Sequence, residues 1–263
     1  DSSWKFRHYM RWVIRRSTAA ATAIVAVSQA TARDLRELLD VPDSKIRVIY
    51  EAADDHLRPA PLPDREQLMA IHPALTRPYI LSVGTIEPRK RVGLLVEAFE
   101  KFRERTSMQH ALIVVGKVGW KAEPSLRALE QSPAAEKIYH LDYLAEHDLI
   151  DIYHGADLFI FTSRYEGFGL PPLEAMACGV PVVATAGGSI AEVVGDAGVV
   201  VRESGSEALA KAIISVMGDR RQQALMRQRG FERDLEFSWA RTAEETVALY
   251  EKVAESASVS QPT

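Results

Sequence analysis

The chain has 263 residues, nearly half of them apolar, and a formal net charge of −4. That is core enough for one large α/β domain or two small ones, and the charge balance argues against a nucleic-acid partner. The single cysteine, Cys178, excludes an internal disulfide and a cysteine-rich metal site and fits a reducing, cytoplasmic setting.

Residues 4–18 have the pattern of an amphipathic helix, with Trp4, Tyr9, Trp12 and Val13 at near-helical spacing among Lys5, Arg7, Arg11, Arg15 and Arg16. Such a helix suits packing against a further domain. Peripheral contact with an anionic membrane surface, at the inner face, is the second reading. Asp1 leads straight into this pattern, which reads as a fragment boundary with part of an N-terminal domain missing. No signal peptide is visible, and no apolar run approaches the roughly 20 residues that cross a bilayer. Ala23–Val27 and Ile46–Tyr50 are strand candidates, and Ser28 is placed to cap a helix over Gln29–Leu39. Residues 51–78 are rich in proline and charge and read as a linker, with some helix near Arg65–Ala70.

From Tyr79 the texture becomes repeated strand–helix units. Strands are expected at Tyr79–Val83, Ala111–Val115, Lys137–Leu141, Leu158–Thr162, Val180–Ala184 and Gly198–Val201. Helices are expected at Arg91–Glu104, Pro124–Glu130, Glu146–Tyr153, Pro171–Ala177 and Ser206–Met217, followed by Asp219–Leu235 and Ser238–Ala254 and a frayed tail, Ser256–Thr263. Short β-branched runs alternating with helices mean a parallel, Rossmann-like sheet with helices on both faces. Residues 56–236 form that domain in this reading, residues 1–55 belong to a preceding one, and residues 237–263 are a returning helix and tail. Ligands of such sheets bind beyond the carboxyl ends of the strands, at a topological switch point.

Two segments can carry chemistry there. The first, Gly84-Thr85-Ile86-Glu87-Pro88-Arg89-Lys90-Arg91, follows the first strand of the repeat. Gly84 lets the chain leave the strand sharply, and Arg89 and Lys90 sit where a diphosphate could be clamped. A basic triplet opposes the macrodipole at a helix start, a conflict that a nearby anion repairs. The second runs from Arg164 to Thr185. Glu166 lies in the loop after Leu158–Thr162, and Glu174 falls eight residues later in the first turn of the next helix. Between them Gly167, Phe168, Gly169 and Leu170 offer backbone amides to a donor's phosphates or sugar, with Gly169 keeping the approach open. Glycine-cradled phosphate plus hydroxyl-binding carboxylates points to a nucleotide sugar.

Tyr143 and Leu144, at the end of the 137–141 strand, are placed either to pack on a nucleobase or in the core. Gly187-Gly188-Ser189-Ile190 reads as a structural turn capping the next helix. The seven histidines are scattered without metal-ligand spacing, and no Asp-X-Asp pair or nucleophile elbow is present, so no metal or other cofactor is expected.

The segment Glu-Gly-Phe-Gly-Leu-Pro-Pro-Leu-Glu-Ala-Met-Ala-Cys-Gly-Val-Pro-Val-Val resembles the paired-glutamate signature of retaining glycosyltransferases of family 4, which have the GT-B fold. Gly-Thr-Ile-Glu-Pro-Arg-Lys resembles that family's phosphate-binding segment, and Phe-Ser-Trp at 237–239 resembles its closing element. The resemblance implies the donor-binding half of an enzyme that moves a hexose from a nucleotide diphosphate to a glycan or lipid-linked acceptor with retention, by a front-face route. It implies ribose binding by Glu174, a sugar-facing Glu166, and a phosphate-binding Lys90. Thr85 stands where the family often has arginine, a role Arg89 would fill. The subgroup resembles mannosyltransferases of surface polysaccharide assembly, which implies GDP-mannose as donor. A nucleotide-sugar epimerase and a non-catalytic nucleotide-sugar-binding module are the competing readings.

Overall fold

The computed structural model describes residues 4–259 apart from residues 59, 77 and 204. Asp1, the tail residues 260–263 and the side chains of Lys5 and Arg7 lie outside the described residues. Two compact units divide the chain, Asp1–Glu51 with Ser238–Thr263, and Ala52–Phe237.

In the first unit, helix α1 (Trp4–Ala20) leads to strand β1 (Ile24–Ala26), helix α2 (Gln29–Leu39) and strand β2 (Ile46–Val48). The strands pair in parallel, Ile24 with Ile46 and Ala26 with Val48. Ser28 accepts the Thr31 N–H at 3.0 Å and caps α2 as expected. Ala26, Ala32, Val41 and Ile46 form a small core, whereas Trp4, Tyr9 and Trp12 of α1 are exposed.

The second unit opens with α3 (Arg65–Ile71), where Asp64 and Gln67 make a reciprocal capping box. The helix expected near Arg65–Ala70 within the proline- and charge-rich segment is thus present and runs one residue further. Then follow β3 (Tyr79–Val83), α4 (Val92–Arg105), β4 (Ala111–Val115), α5 (Glu123–Gln131), β5 (Ile138–Leu141), α6 (Glu146–His154), β6 (Leu158–Phe161), α7 (Leu170–Ala177), β7 (Val182–Thr185), α8 (Ile190–Val194), β8 (Val199–Val201), α9 (Ser206–Gly218) and α10 (Arg220–Asp234). Helix α11 (Trp239–Val259) closes the first unit, with Thr242 Oγ1 donating to Tyr50 O at 2.6 Å. Residues 256–259 of the expected frayed tail are thus helical.

The six strands of the second unit are all parallel, in the order β5-β4-β3-β6-β7-β8. This is the doubly wound order, and it reverses between β3 and β6. Alternation along the strands sends Ile80, Leu112, Leu158, Ile160 and Val183 to one face, where they pack with Phe99 and Phe102 of α4 and Ile213 of α9. Tyr79, Tyr153 and Phe159 meet on the other face, where the Tyr79 hydroxyl donates to Ile152 O of α6 at 2.8 Å. Each large ring so buried contributes roughly 1.5–3 kcal/mol. Strand β7 starts two residues later than expected because Pro181 has no N–H to give a ladder; its carbonyl still accepts from Phe159 at 2.9 Å.

Candidate functional site

The loops that leave β3 and β6 run from adjacent strands, so the switch point lies between residues 84–91 and 162–169. Gly84 leaves β3 at φ +151°, and a Cβ there would stand 3.3 Å from Lys90 Cε. Pro88–Lys90 then form a tight turn, and Arg91 adopts a left-handed conformation (φ 50°) before α4 starts at Val92. The basic residues therefore precede the helix instead of opening it.

Arg91 has a structural task. Its Nε donates to Thr162 O and its Nη2 to Thr185 Oγ1, both at 2.8 Å, while Thr162 Oγ1 donates to Lys90 O at 2.7 Å. The ends of β3, β6 and β7 are stitched together by these bonds. Arg89 and Lys90 turn the other way. Lys90 Nζ lies 2.7 Å from Glu166 Oε1, and Arg89 Nη1 lies 2.5 Å from Glu166 Oε2. Arg89 also pairs with Glu87 at 2.8 Å and donates to Tyr165 O at 2.8 Å. The anion expected to balance the basic turn is thus within the chain: it is Glu166.

The Lys90 and Glu166 side chains are only 14% and 12% exposed, so water screens this pair weakly. Burial pushes the Glu166 carboxyl up, but hydrogen bonds from Lys90, Ser163 and Arg89 outweigh it and hold the group below the usual carboxylate range.

The Glu166 backbone is fixed from a third strand. Glu166 and Gly188 form an isolated parallel bridge, the Ser189 N–H donates to Glu166 O at 3.1 Å, and Ser189 Oγ reaches both Glu166 O (3.1 Å) and Phe168 O. Ser189 precedes α8 but makes no side-chain cap there. The Gly-Gly-Ser turn is structural, as its composition indicates, yet its side chain braces the glutamate loop rather than the next helix. Gly169 (φ +111°) ends that loop ahead of Leu170, and a Cβ on it would come within 2.7 Å of Ile190 Cδ1. Gly167 is half-buried, and the Phe168 ring is buried edge-on against Phe237 with centroids 5.5 Å apart.

Glu174 is the fifth residue of α7, so it lies in the second turn rather than the first. It accepts from the buried Tyr153 hydroxyl of α6 at 2.7 Å. Burial raises its pKa, the Tyr153 hydrogen bond opposes this, and Asp54 adds to the rise. Nothing in sequence spacing marks Tyr153 as its partner.

Thr85 is exposed, and Tyr143 is exposed with Lys117 Nζ 4.4 Å from its ring centroid; Leu144 is half-buried. The structure therefore joins Arg89, Lys90 and Glu166 in one network beside Gly84, with Glu174 held by Tyr153 on the helix that follows. Asp54, His56 and Glu146 bring ligand atoms within 4.8 Å of one another at the surface, a grouping that spacing along the chain conceals. All three are exposed, as surface ion pairs commonly are.

Residues 64–233 match the family model described as Glycosyl transferases group 1, and residues 1–57 match that of Glycosyltransferase Family 4. The O-antigen chain mannosyltransferase B of Escherichia coli is 31% identical over 242 residues, covering 92% of this chain and 64% of the relative. Alpha-maltose-1-phosphate synthase of Mycolicibacterium smegmatis is 31% identical over 255 residues, covering 92% and 66%. The chain thus spans just under two thirds of the length of these two relatives, and less than a third of the Escherichia coli mannosyltransferase WbdA, to which it is 27% identical over 226 residues. A glycosyltransferase from Rickettsia africae superposes with a TM-score of 0.80 at 22% identity, covering 92% of this chain and 67% of that one. Anabaena HepE in complex with UDP and glucose gives 0.81 at 20%, covering 92% and 66%. The sheet order and these likenesses are those of a GT-B fold, and no helix among the described residues is long and apolar enough to cross a membrane. With 170 of its residues inside one family model, from 64 to 233, the chain belongs to the group 1 glycosyl transferases.

Proposed function

We propose that this chain supplies the donor-binding half of a retaining hexosyltransferase, which moves mannose from GDP-mannose to a glycan or lipid-linked acceptor. The observation that carries the reading is the Arg89–Lys90–Glu166 network at the switch point. Two cations and a carboxylate are already gathered where a parallel sheet binds its ligand.

In this reading the diphosphate lies against Lys90 and Arg89 and the N-terminal end of α7. These groups stabilise the charge that builds on the leaving phosphate as the anomeric bond breaks. Arg89 takes the role that Thr85 cannot. Glu166 orients the hexose, Glu174 accepts from the ribose hydroxyls, and Tyr143 and Leu144 receive the base. The backbone at Gly84 and from Gly167 to Leu170 lies beside the sugar and phosphate in this reading. Side-chain cations do the electrostatic work, so the reaction needs no metal. The name of the Escherichia coli relative supports mannose, and the transferase names among the relatives weigh against an epimerase.

The exposed Trp4, Tyr9 and Trp12 of α1, set among Arg11, Arg15 and Arg16, support either packing on a further domain or contact with an anionic membrane at the cytoplasmic face. Calorimetric titration with GDP and UDP tests the central reading. The wild-type chain binds a nucleoside diphosphate and Lys90→Ala weakens it; failure of the wild type to bind either nucleotide overturns the proposal.

A further inference from the structure

Trp120, in the loop after β4, is 59% exposed, a large apolar ring standing in solvent beside the candidate site. It is firmly held. Ile86 N–H donates to Lys117 O at 2.9 Å, and Gly119 N–H donates to Ile86 O at 3.0 Å. The two loops meet in a parallel bridge between Ile86 and Val118. Gly119 permits this approach, since a Cβ there would stand 2.7 Å from Thr85 Cγ2. The indole Nε1 donates to Glu87 Oε2 at 3.2 Å, while Glu87 Oε1 accepts from Arg89, which in turn holds Glu166. A polar chain thus runs from the ion pair to the indole and fixes the ring's angle. Lys121 Nζ lies 5.6 Å from the ring centroid.

What sets Trp120 apart from a merely exposed ring is that two bridged loops and its N–H bond to Glu87 hold the indole at a fixed angle, presenting a flat apolar face to a ligand. We propose that Trp120 is a stacking platform for a pyranose ring of the glycan acceptor, an inference that rests on the sugar-transfer reading above. A pyranose presents an apolar face of C–H groups with hydroxyls around its rim. The indole supplies the matching flat surface, with Glu87 at its N–H edge and the Lys121 ammonium over the ring as hydrogen-bonding groups. A nucleobase could also stack there, but the contacts of Trp120 lead through Glu87 and Arg89 to Glu166, the carboxylate assigned to the sugar. The carboxylate assigned to the ribose, Glu174, is held from α6 instead.

The test is titration of the chain with α-mannotriose, followed by tryptophan fluorescence and saturation-transfer NMR, alongside calorimetry with GDP and UDP. Trp120→Ala is expected to weaken trisaccharide binding about tenfold or more, the scale of one lost aromatic stack. Trp120→Phe, which keeps a ring but loses the N–H, is expected to fall between the two. Nucleoside diphosphate affinity stays within about twofold of wild type in both, which also shows that the variants are folded. The platform is overturned if the wild type binds no trisaccharide, if Trp120→Ala leaves that affinity unchanged, or if Trp120→Ala weakens the nucleotide equally. Failure of the donor-site reading looks different: neither nucleotide binds, whereas the trisaccharide still binds through Trp120.

Discussion

Lys90 Nζ and Glu166 Oε1 stand 2.7 Å apart although 76 residues separate them in the chain. The contact exists because β3 and β6 are adjacent, so the turn after one meets the loop after the other. Lys90→Ala leaves Glu166 paired with Arg89 alone. Losing a charge-assisted bond of about 1.5–3 kcal/mol should weaken nucleoside diphosphate binding by about 10- to 100-fold, read by calorimetry. Thermal unfolding gives the structural side. Lys90→Ala lowers Tm, and Lys90→Ala with Glu166→Gln recovers part of the loss, because the half-buried carboxylate no longer lacks its partner. Strict additivity of the two changes would show that the pair is not coupled.

Gly188 is the point where the third loop touches Glu166. Its φ is +60°, and a Cβ there would lie 2.2 Å from Glu166 O, a backbone atom that cannot swing aside. Gly188→Ala should cost about 1–3 kcal/mol, a Tm drop of several degrees. Ser189→Ala is milder, about 1 kcal/mol. Both should weaken nucleoside diphosphate binding, read by calorimetry. A Ser189→Ala chain with unchanged nucleotide affinity would mean that the brace does not set the position of Glu166.

Much of this fold is legible in the sequence because the strands are short apolar runs buried on both faces. Tyr79–Val83 and Ala111–Val115 have their expected bounds. Ends shift where backbone chemistry intervenes: Arg91 turns left-handed and delays α4, and Asp219 becomes the cap of α10 rather than its first residue. The residue types near 90 and 166 mark the candidate site before any coordinates do. Their mutual neutralisation does not show, since it depends on which strands adjoin. The partners Tyr153, Ser189 and Trp120 are equally hidden, because buried tyrosines, serines in turns and lone tryptophans occur everywhere and only the contact gives them a role.

The two glutamates should respond oppositely to pH. Glu166 has a depressed pKa when folded, so its stabilisation is present above the unfolded value of about 4.3 and is lost as pH falls through the depressed one. Glu174 has a raised pKa, so its ionised form opposes folding, and that penalty fades as pH falls from the raised value to the unfolded one. Glu174→Gln should therefore raise Tm at pH 7 and match wild type below about pH 4, while nucleotide binding weakens. Thermal scans at both pH values check this, and a Tm loss at pH 7 would mean that Glu174 stabilises the fold as a carboxylate.

The most direct measurement is a crystal structure of the chain soaked with GDP. The diphosphate is predicted within hydrogen-bonding distance of Lys90 Nζ, near the amide end of α7, with a ribose hydroxyl on Glu174. A nucleotide bound elsewhere in the molecule, with Lys90 still engaged only by Glu166, would contradict the account.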